Sequence, residues 1–273
     1  MNSATLTAEL PRERRTRRLS PRLVNAEFLK LRKRRGLVAA TVALSIVPMT
    51  VAYAIMAILH AVQPTVHDAA GGAENFANSM NLLGALTIVA GILVGCTVGT
   101  GDLGSGVFRE LVVTGRSRLT LFAARVPAGL ALLLPLIALA FAIAATAATL
   151  LAGPLEPPGA RLLIDSAGWL ALLGALSFAL ALGVSSLLGS RGTSIGVLLG
   201  WLLVAMPLLL QIRSLGSVRE GLVGAATERL EPSAVLGGPA QVPMSLAAAL
   251  VVIAAWAIVP LTLGAWRTSG RDA

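Results

Sequence analysis

Six long stretches without a charged side chain constrain the fold of this chain more than any other feature of its sequence. They cover residues 37–59, 82–101, 126–151, 167–188, 193–212 and 244–266. As α-helices rising about 1.5 Å per residue, each can cross roughly 30 Å of hydrocarbon. The composition agrees, because 56% of the residues are hydrophobic and only 13% are charged. The sequence therefore predicts an all-α, polytopic membrane bundle of about six helices.

Positive charge is concentrated before the first of these stretches. Eleven of the 22 Lys and Arg residues lie in residues 1–36. If the N-terminus is inside, the cytoplasmic segments 1–36, 102–125, 189–192 and 267–273 hold 18 basic residues, against four in the outer segments. This asymmetry predicts that both termini are cytoplasmic. Because an anionic leaflet attracts basic segments, we expect this charge to meet membrane lipids and not nucleic acid.

These patterns divide the chain into four parts. Residues 1–20 are a basic tail that is predicted to be disordered, and residues 21–36 are predicted to form an amphipathic helix along the inner surface. In that helix Val24, Phe28 and Leu31 share an apolar face, while Glu27 and Lys30 are expected mainly elsewhere. Residues 37–266 form the membrane domain, and residues 267–273 a cytoplasmic tail.

The outer segment 213–243 has apolar residues at intervals of three or four. This spacing predicts one short amphipathic helix, which lies on the membrane surface or packs on the bundle. The residues that define it are Leu215, Val218, Leu222, Ala226 and Leu230.

Glycines recur at every fourth position in two of the apolar stretches. They are Gly91, Gly95 and Gly99 in the second stretch, and Gly192, Gly196 and Gly200 in the fifth. Residues four apart share a helix face, and a face of glycines lets another backbone approach closely. Tight packing is one interpretation. The other is that these helices slide or separate against partners during transport.

The sequence offers few groups for catalysis or for binding a cofactor. The predicted spans carry no charged residue, which disfavours ion-coupled transport. A P-loop is absent, because the only lysines, Lys30 and Lys33, do not follow a glycine. The single cysteine, Cys96, lies in an apolar stretch, and His60 and His67 have no third ligand nearby, so we expect no metal site.

An alternative enzymatic function comes from the sequence GTGD, which ends at Asp102 and matches the GxGD pattern of intramembrane aspartyl proteases. Such catalysis needs two carboxylates that share a proton. Asp68 and Asp165 are expected on the outer side and Asp272 in the tail, so no partner is expected at the depth of Asp102.

The predicted cytoplasmic loop 102–125 is the most informatively patterned connection. Val107, Phe108, Leu111 and Val112 lie at helical spacing, and Gly115 is placed to end a short helix. Such a helix either rests on lipid or docks a cytoplasmic protein.

Two short stretches of the chain resemble the membrane subunits of type 2 ABC exporters. In that family an E-x-x-K-L helix precedes six spans, and this chain has Glu27, Lys30 and Leu31, with Phe28 between them. After the second span the family has an acidic residue, a glycine, a short apolar helix and a G-x-S-R turn that leads to a basic residue. The matching residues are Asp102, Gly106, Leu111, Gly115, Arg116, Ser117, Arg118 and Arg125. Val107 stands where the family usually has threonine, and Arg125 where it often has lysine.

The resemblance implies a permease subunit in the cell membrane, paired with a second permease subunit, identical or homologous, and with two ATP-binding subunits. The loop would be a coupling helix that fits a cleft on the ATPase, with Phe108 and Glu110 in the contact surface. The second and fifth helices would help line an export pathway for a lipophilic small molecule, lipid or peptide.

On this interpretation the chain is not an enzyme and binds no cofactor, because ATP and Mg²⁺ would sit on the partner. The alternatives are a non-transporting scaffold or sensor that recruits a cytoplasmic protein, and the GxGD protease.

Overall fold

The computed structural model describes residues 20–104 and 117–270, and these residues form α-helices without a strand among them. Within these ranges six helices are long and apolar enough to cross a membrane. The chain is therefore a multi-pass membrane protein, and the predicted all-α bundle is confirmed. The helices are α1 (Pro21–Lys33), α2 (Arg35–Val62), α3 (Ala73–Gly104), α4 (Arg118–Leu150), α5 (Ala160–Leu188), α6 (Arg191–Gln211), α7 (Val223–Arg229), α8 (Ser233–Leu236) and α9 (Leu246–Gly270). Residues 1–19 of the predicted basic tail and the last three residues lie outside the described ranges.

Three of the membrane helices begin about two turns or more before their apolar stretches. Helix α3 begins nine residues before position 82, α4 eight before position 126 and α5 seven before position 167. In α3 the extra turns are polar but find partners: Asn81 Nδ2 donates to the carbonyl of Val235 at 2.7 Å, and Ser79 Oγ to Tyr53 Oη at 3.1 Å. The predicted loop 102–125 is correspondingly shorter, because α3 ends at Gly104 and α4 starts at Arg118.

Helices α3 and α5 form the centre of the bundle. In their most apolar 18-residue stretches 67% and 72% of the residues are buried, against 17%, 22% and 11% in α2, α6 and α9. The largest fully buried side chains of this centre include Met80, Leu83, Phe178 and Leu182. The three peripheral helices therefore present most of their apolar surface outward, as expected for helices in lipid.

The helices run alternately up and down, so their connections lie at two ends of the bundle. We call the end that carries α1 the proximal end, and the end that carries residues 63–72, 151–159 and 212–245 the distal end. Distal connections are tied by backbone hydrogen bonds, since the amides of Gly71 and Gly72 donate to the carbonyls of Leu151 and Ala148, both at 2.8 Å. Backbone hydrogen bonds therefore hold the connection before α3 against the end of α4.

The distal segment between α6 and α9 is not the single amphipathic helix that its spacing predicts. It forms a 3₁₀ helix over Arg213–Gly221 and then the short α7, with extended backbone at Leu222 between them. Gly216 has φ 53°, a left-handed conformation that interrupts helical structure. Trp256 Nε1 donates to the carbonyl of Gly221 at 2.9 Å, which fixes this break against α9.

Helix α6 contains a π-helical turn over Gly200–Ala205. In this turn the Trp201 ring stacks on Trp256 of α9, with centroids 6.2 Å apart. Below and above the turn the backbone is α-helical, so the membrane crossing is continuous from Arg191 to Gln211.

Candidate functional site

Helix α1 packs across the proximal end of the bundle, against α4 and α2. Leu23 forms a small cluster with Leu121 and Ala124 of α4, while Leu31 joins the main core. Phe28 is half-buried and packs against the same core. The amphipathic segment predicted over 21–36 is therefore a helix of 13 residues that docks on the bundle.

The burial of Glu27 corrects the predicted orientation of α1. Glu27 is only 8% exposed, whereas the apolar pattern assigned it mainly to the outer face. Leu23, Glu27 and Leu31 are four residues apart, so packing the two leucines brings the glutamate onto the same face. Its carboxylate is compensated by Lys30, whose Nζ lies 2.7 Å from Glu27 Oε1. The E-x-x-K spacing thus produces an ion pair within one helical turn.

Both ends of the connection between α3 and α4 lie beside α1. The Arg34 guanidinium, which follows α1, lies against Gly101, where an added Cβ would come within 2.8 Å of it. Ser117 caps α4, because its side chain accepts a hydrogen bond from the amide of Thr120 at 3.2 Å. The serine and arginine of the G-x-S-R turn are therefore the N-cap and first residue of a membrane helix.

Arg125 does not lie at the interface as its position in the predicted loop suggests. It is 3% exposed and sits on the second turn of α4, inside the bundle. The apolar run at Leu119–Ala124 indicates that the helix extends beyond Arg125 toward the N-terminus, but it does not indicate that Arg125 is buried.

The central residues of the predicted coupling helix lie outside the described residues. They are Gly106, Phe108, Glu110, Leu111, Gly115 and Arg116. Asp102 lies in the last turn of α3, and Arg118 begins α4. The described parts place the two anchor points of this segment at the proximal end.

The two ends of the bundle differ in charge. Within residues 20–104 and 117–270 the proximal end carries ten Lys and Arg residues and two acidic residues, Glu27 and Asp102. The distal end carries four arginines and seven acidic residues over the same ranges. Its arginines are Arg161, Arg213, Arg219 and Arg229. A basic end of this kind is attracted to an anionic membrane surface and to acidic partners.

The first glycine series is a packing face. Gly91, Gly95 and Gly99 all face α5, and a Cβ added at Gly95 would lie 2.6 Å from both Ala181 Cβ and the carbonyl oxygen of Phe178. Cys96 Sγ, beside this face, lies 4.0 Å from the carbonyl of Ala181. The backbones of α3 and α5 approach so closely that no side chain fits between them.

The second glycine series is open. No described atom lies within 4 Å of a Cβ added at Gly192, Gly196 or Gly200. The same spacing that packs α3 against α5 therefore leaves a smooth, unfilled face on α6. Spacing alone predicts a close approach, but it does not identify the helix that would make it.

The histidines and aspartates in the part of the chain that the structure describes bear on the metal site and on the GxGD protease considered from the sequence. No group of three His, Cys, Asp or Glu side chains there could hold a metal ion, and His60 Nδ1 is hydrogen bonded to the carbonyl of His67 at 2.8 Å. Asp68 and Asp165 lie at the distal end, whereas Asp102 is at the proximal end of α3, roughly 40 Å away at about 1.5 Å per residue. That separation does not allow these aspartates to share a proton.

Comparison with known proteins adds no family to these observations. No protein-family model matches the chain, and no curated protein is significantly similar to it. A functional proposal therefore rests on the sequence pattern and the geometry described above.

Proposed function

We propose that this chain is the permease subunit of an ABC exporter of type 2, and that it moves a lipophilic small molecule, lipid or peptide across the cell membrane. One observation carries the proposal. The two stretches that resemble the family, separated by about seventy residues in the sequence, meet at the proximal end: Glu27 and Lys30 pair on α1, and Ser117 caps the α4 helix on which α1 packs.

This arrangement would give an ATP-hydrolysing partner a rigid contact surface. A partner that grips the segment between Gly104 and Ser117 would act on the ends of α3 and α4 together. Because α3 is packed backbone to backbone on α5, movement at its end would be transmitted into the bundle centre. The docked α1 would brace the start of α4 during that movement.

The basic charge of the proximal end supports a cytoplasmic location for it, and hence for an ATP-binding partner that holds ATP and Mg²⁺. Because the chain would cross the membrane six times, its N-terminus and its C-terminus would lie on that same side. The chain itself would bind lipids around α2, α6 and α9, whose apolar faces are the least buried.

The open glycine face of α6 supports pairing with a second permease subunit. Gly192, Gly196 and Gly200 leave room for a helix to approach along the proximal half of α6. A pathway between two such subunits would be lined mainly by apolar side chains, which suits a lipophilic cargo.

The proposal is tested by co-expressing the full chain with a tagged candidate P-loop ATPase. We expect the two proteins to purify together, with two permease subunits for two ATPases, and ATP hydrolysis to be stimulated by a transported cargo. A Phe108→Cys variant should crosslink to cysteines introduced in the ATPase. Val218→Cys, at the distal end and 66% exposed, is the matched control and should give no crosslink.

The opposite pattern would overturn the proposal. A complex that forms without any crosslink at position 108, or one that crosslinks equally well at position 218, would place the contact elsewhere. Recruitment of a partner without cargo-stimulated hydrolysis would favour a scaffold.

A further inference from the structure

A large cavity opens at the distal end, away from the proposed coupling surface. It has a volume of about 1220 Å³ and lies between the first turns of α5 and the chain from Arg229 to Ala234. Ligand pockets for drug-sized molecules measure roughly 300–1,000 Å³. The space therefore suffices for a molecule of lipid size, and all residues that line it lie in the described part of the chain.

One wall of the cavity is apolar and faces outward. Ile164 is 70% exposed and Leu246 is 49% exposed, and both line the opening. Leu172 continues this wall toward the bundle centre. An apolar chain could leave the surrounding bilayer and lie along this wall without losing its apolar environment.

Most charged groups at the cavity already have partners. Arg161 Nε lies 3.6 Å from Asp165 Oδ2, and Arg229 Nε donates to the carbonyl of Met244 at 3.0 Å. Glu231 is different. It lines the cavity and is half-buried, and within residues 20–104 and 117–270 its carboxylate makes neither an ion pair nor a side-chain hydrogen bond.

The surroundings of Glu231 favour a positive charge next to it. Burial and the nearby carboxylate of Glu228 raise the pKa of Glu231 to about 7. Glu228 Oε1 accepts a hydrogen bond from the amide of Gln241 at 2.7 Å, which holds that carboxylate in place. A ligand cation in the cavity would offset both the burial and the repulsion.

The cavity also contains an unused hydrogen-bond donor and an aromatic ring. Trp169 lines it and is 7% exposed, and its Nε1 has no acceptor among the described atoms. The benzene edge of the indole faces Gly84 of α3, where an added Cβ would lie 2.6 Å from the ring. The ring is thus held against α3 and forms a fixed part of the cavity lining.

We propose that this cavity binds a cationic amphiphile, with its positively charged nitrogen at Glu231 and its apolar chain along Ile164 and Leu172. This site stands independently of the proposed export function, because it needs neither a partner ATPase nor transport. The cation comes either from the amine headgroup of a membrane lipid or from a free amphiphile.

The experiment uses the full-length chain in phosphatidylglycerol nanodiscs and a dodecyltrimethylammonium probe that carries a photoreactive diazirine. We expect the label on the peptides that contain residues 161–172 or 229–234. Glu231→Gln should reduce this labelling roughly ten-fold or more, since a hydrogen bond or ion pair to a charged group contributes about that factor. Glu220→Gln, an exposed distal carboxylate outside the cavity, is the matched control and should label like the wild type.

A second variant keeps the test decisive if Glu231→Gln fails to fold. Ile164→Trp fills the exposed wall and should also reduce labelling, whereas Leu139→Trp, at a half-exposed site on α4 outside this cavity, should not. Equal labelling by the dodecyl sulfonate analogue, or unchanged labelling of Ile164→Trp, would overturn the proposal. Competition by phosphatidylethanolamine in the nanodisc would assign the site to a lipid headgroup, and its absence to a free amphiphile.

Discussion

At the scale of single residues, identical patterns in this chain acquire different roles from their surroundings. Gly95 and Gly196 both stand in the middle of a tandem GxxxG, but a Cβ at the first would meet α5 and a Cβ at the second would meet no described atom. Glu27 and Glu231 are both poorly exposed carboxylates, yet only Glu27 has a lysine within reach. Their energetic consequences therefore differ, and each can be measured.

Gly95→Ala is expected to lower the free energy of unfolding by about 1–3 kcal/mol, because the added methyl group forces α3 and α5 apart. Gly196→Ala is the matched control. It removes a flexible glycine from a helix without a clash, so we expect unchanged or slightly higher stability. Thermal unfolding of the two purified variants in the same detergent measures both effects. Equal losses in the two variants would contradict the close approach at Gly95.

Glu231 is expected to make the stability of the protein depend on pH. Its pKa is raised from 4.5 to about 7, so between these values the folded chain keeps a proton that the unfolded chain releases. Stability should therefore fall as the pH rises from about 4.5 to about 7, and this component should then level off. Glu231→Gln cannot titrate and should lack it. Melting temperatures of the wild type and the variant across this pH range test the direction of the change. The prediction fails if the wild-type melting temperature rises with pH more than that of the variant.

At the scale of the elements, the sequence indicated six membrane helices, because uncharged segments of this length are stable as helices in the hydrocarbon of a bilayer. It did not indicate where α3 begins, since Asn75, Ser79 and Asn81 look like loop residues. In the folded chain Asn75 donates to the carbonyls of Ala69, Ala70 and Gly71, and Asn81 to that of Val235. The partner of Asn81 comes from a distant part of the chain, whereas those of Asn75 lie in the turn just before α3. Helical periodicity carries no information about either kind of partner. The orientation of α1 was missed for a related reason, because polarity outweighed the spacing of Leu23, Glu27 and Leu31.

The start of α4 provides a local test at this scale. Ser117→Ala removes the side-chain oxygen that accepts from the amide of Thr120, which should weaken the first turn by about 1 kcal/mol. We expect hydrogen exchange of the amides at residues 119–121 to become about five-fold faster. Ser190→Ala is the control, because Ser190 precedes α6 but makes no side-chain cap hydrogen bond. Similar acceleration at the start of α6 in that variant would show that capping is not the cause.

At the scale of the whole molecule, charge and packing divide the protein into two dissimilar ends. The proximal end is basic and carries α1, whereas the distal end has more acidic than basic residues within the described ranges and is tied by backbone hydrogen bonds. The positive-inside rule then predicts which end faces the cytoplasm. Every proposal about an internal ATPase depends on that orientation.

Cysteine labelling in intact cells tests the orientation directly. The native Cys96 is fully buried between α3 and α5, so the unmodified chain should give little background. Val218→Cys, at the distal end, should react with a membrane-impermeant maleimide added outside. Lys33→Cys, exposed at the proximal end, should react only after the cells are made permeable. The reverse result would place α1 outside and remove the basis for a cytoplasmic motor.

The π-helical turn at Gly200–Ala205 has a geometric consequence for anything that binds along α6. Each π-type hydrogen bond spans one residue more than an α-helical one, and one extra residue rotates everything beyond it by about 100° around the helix axis. A neighbouring helix that packs along the glycines of the proximal half would therefore not continue along the same face beyond the turn, and exposed residues there, such as Leu208, face a different direction. Helix α6 can in this way contact a protein in one leaflet of the membrane and lipid in the other.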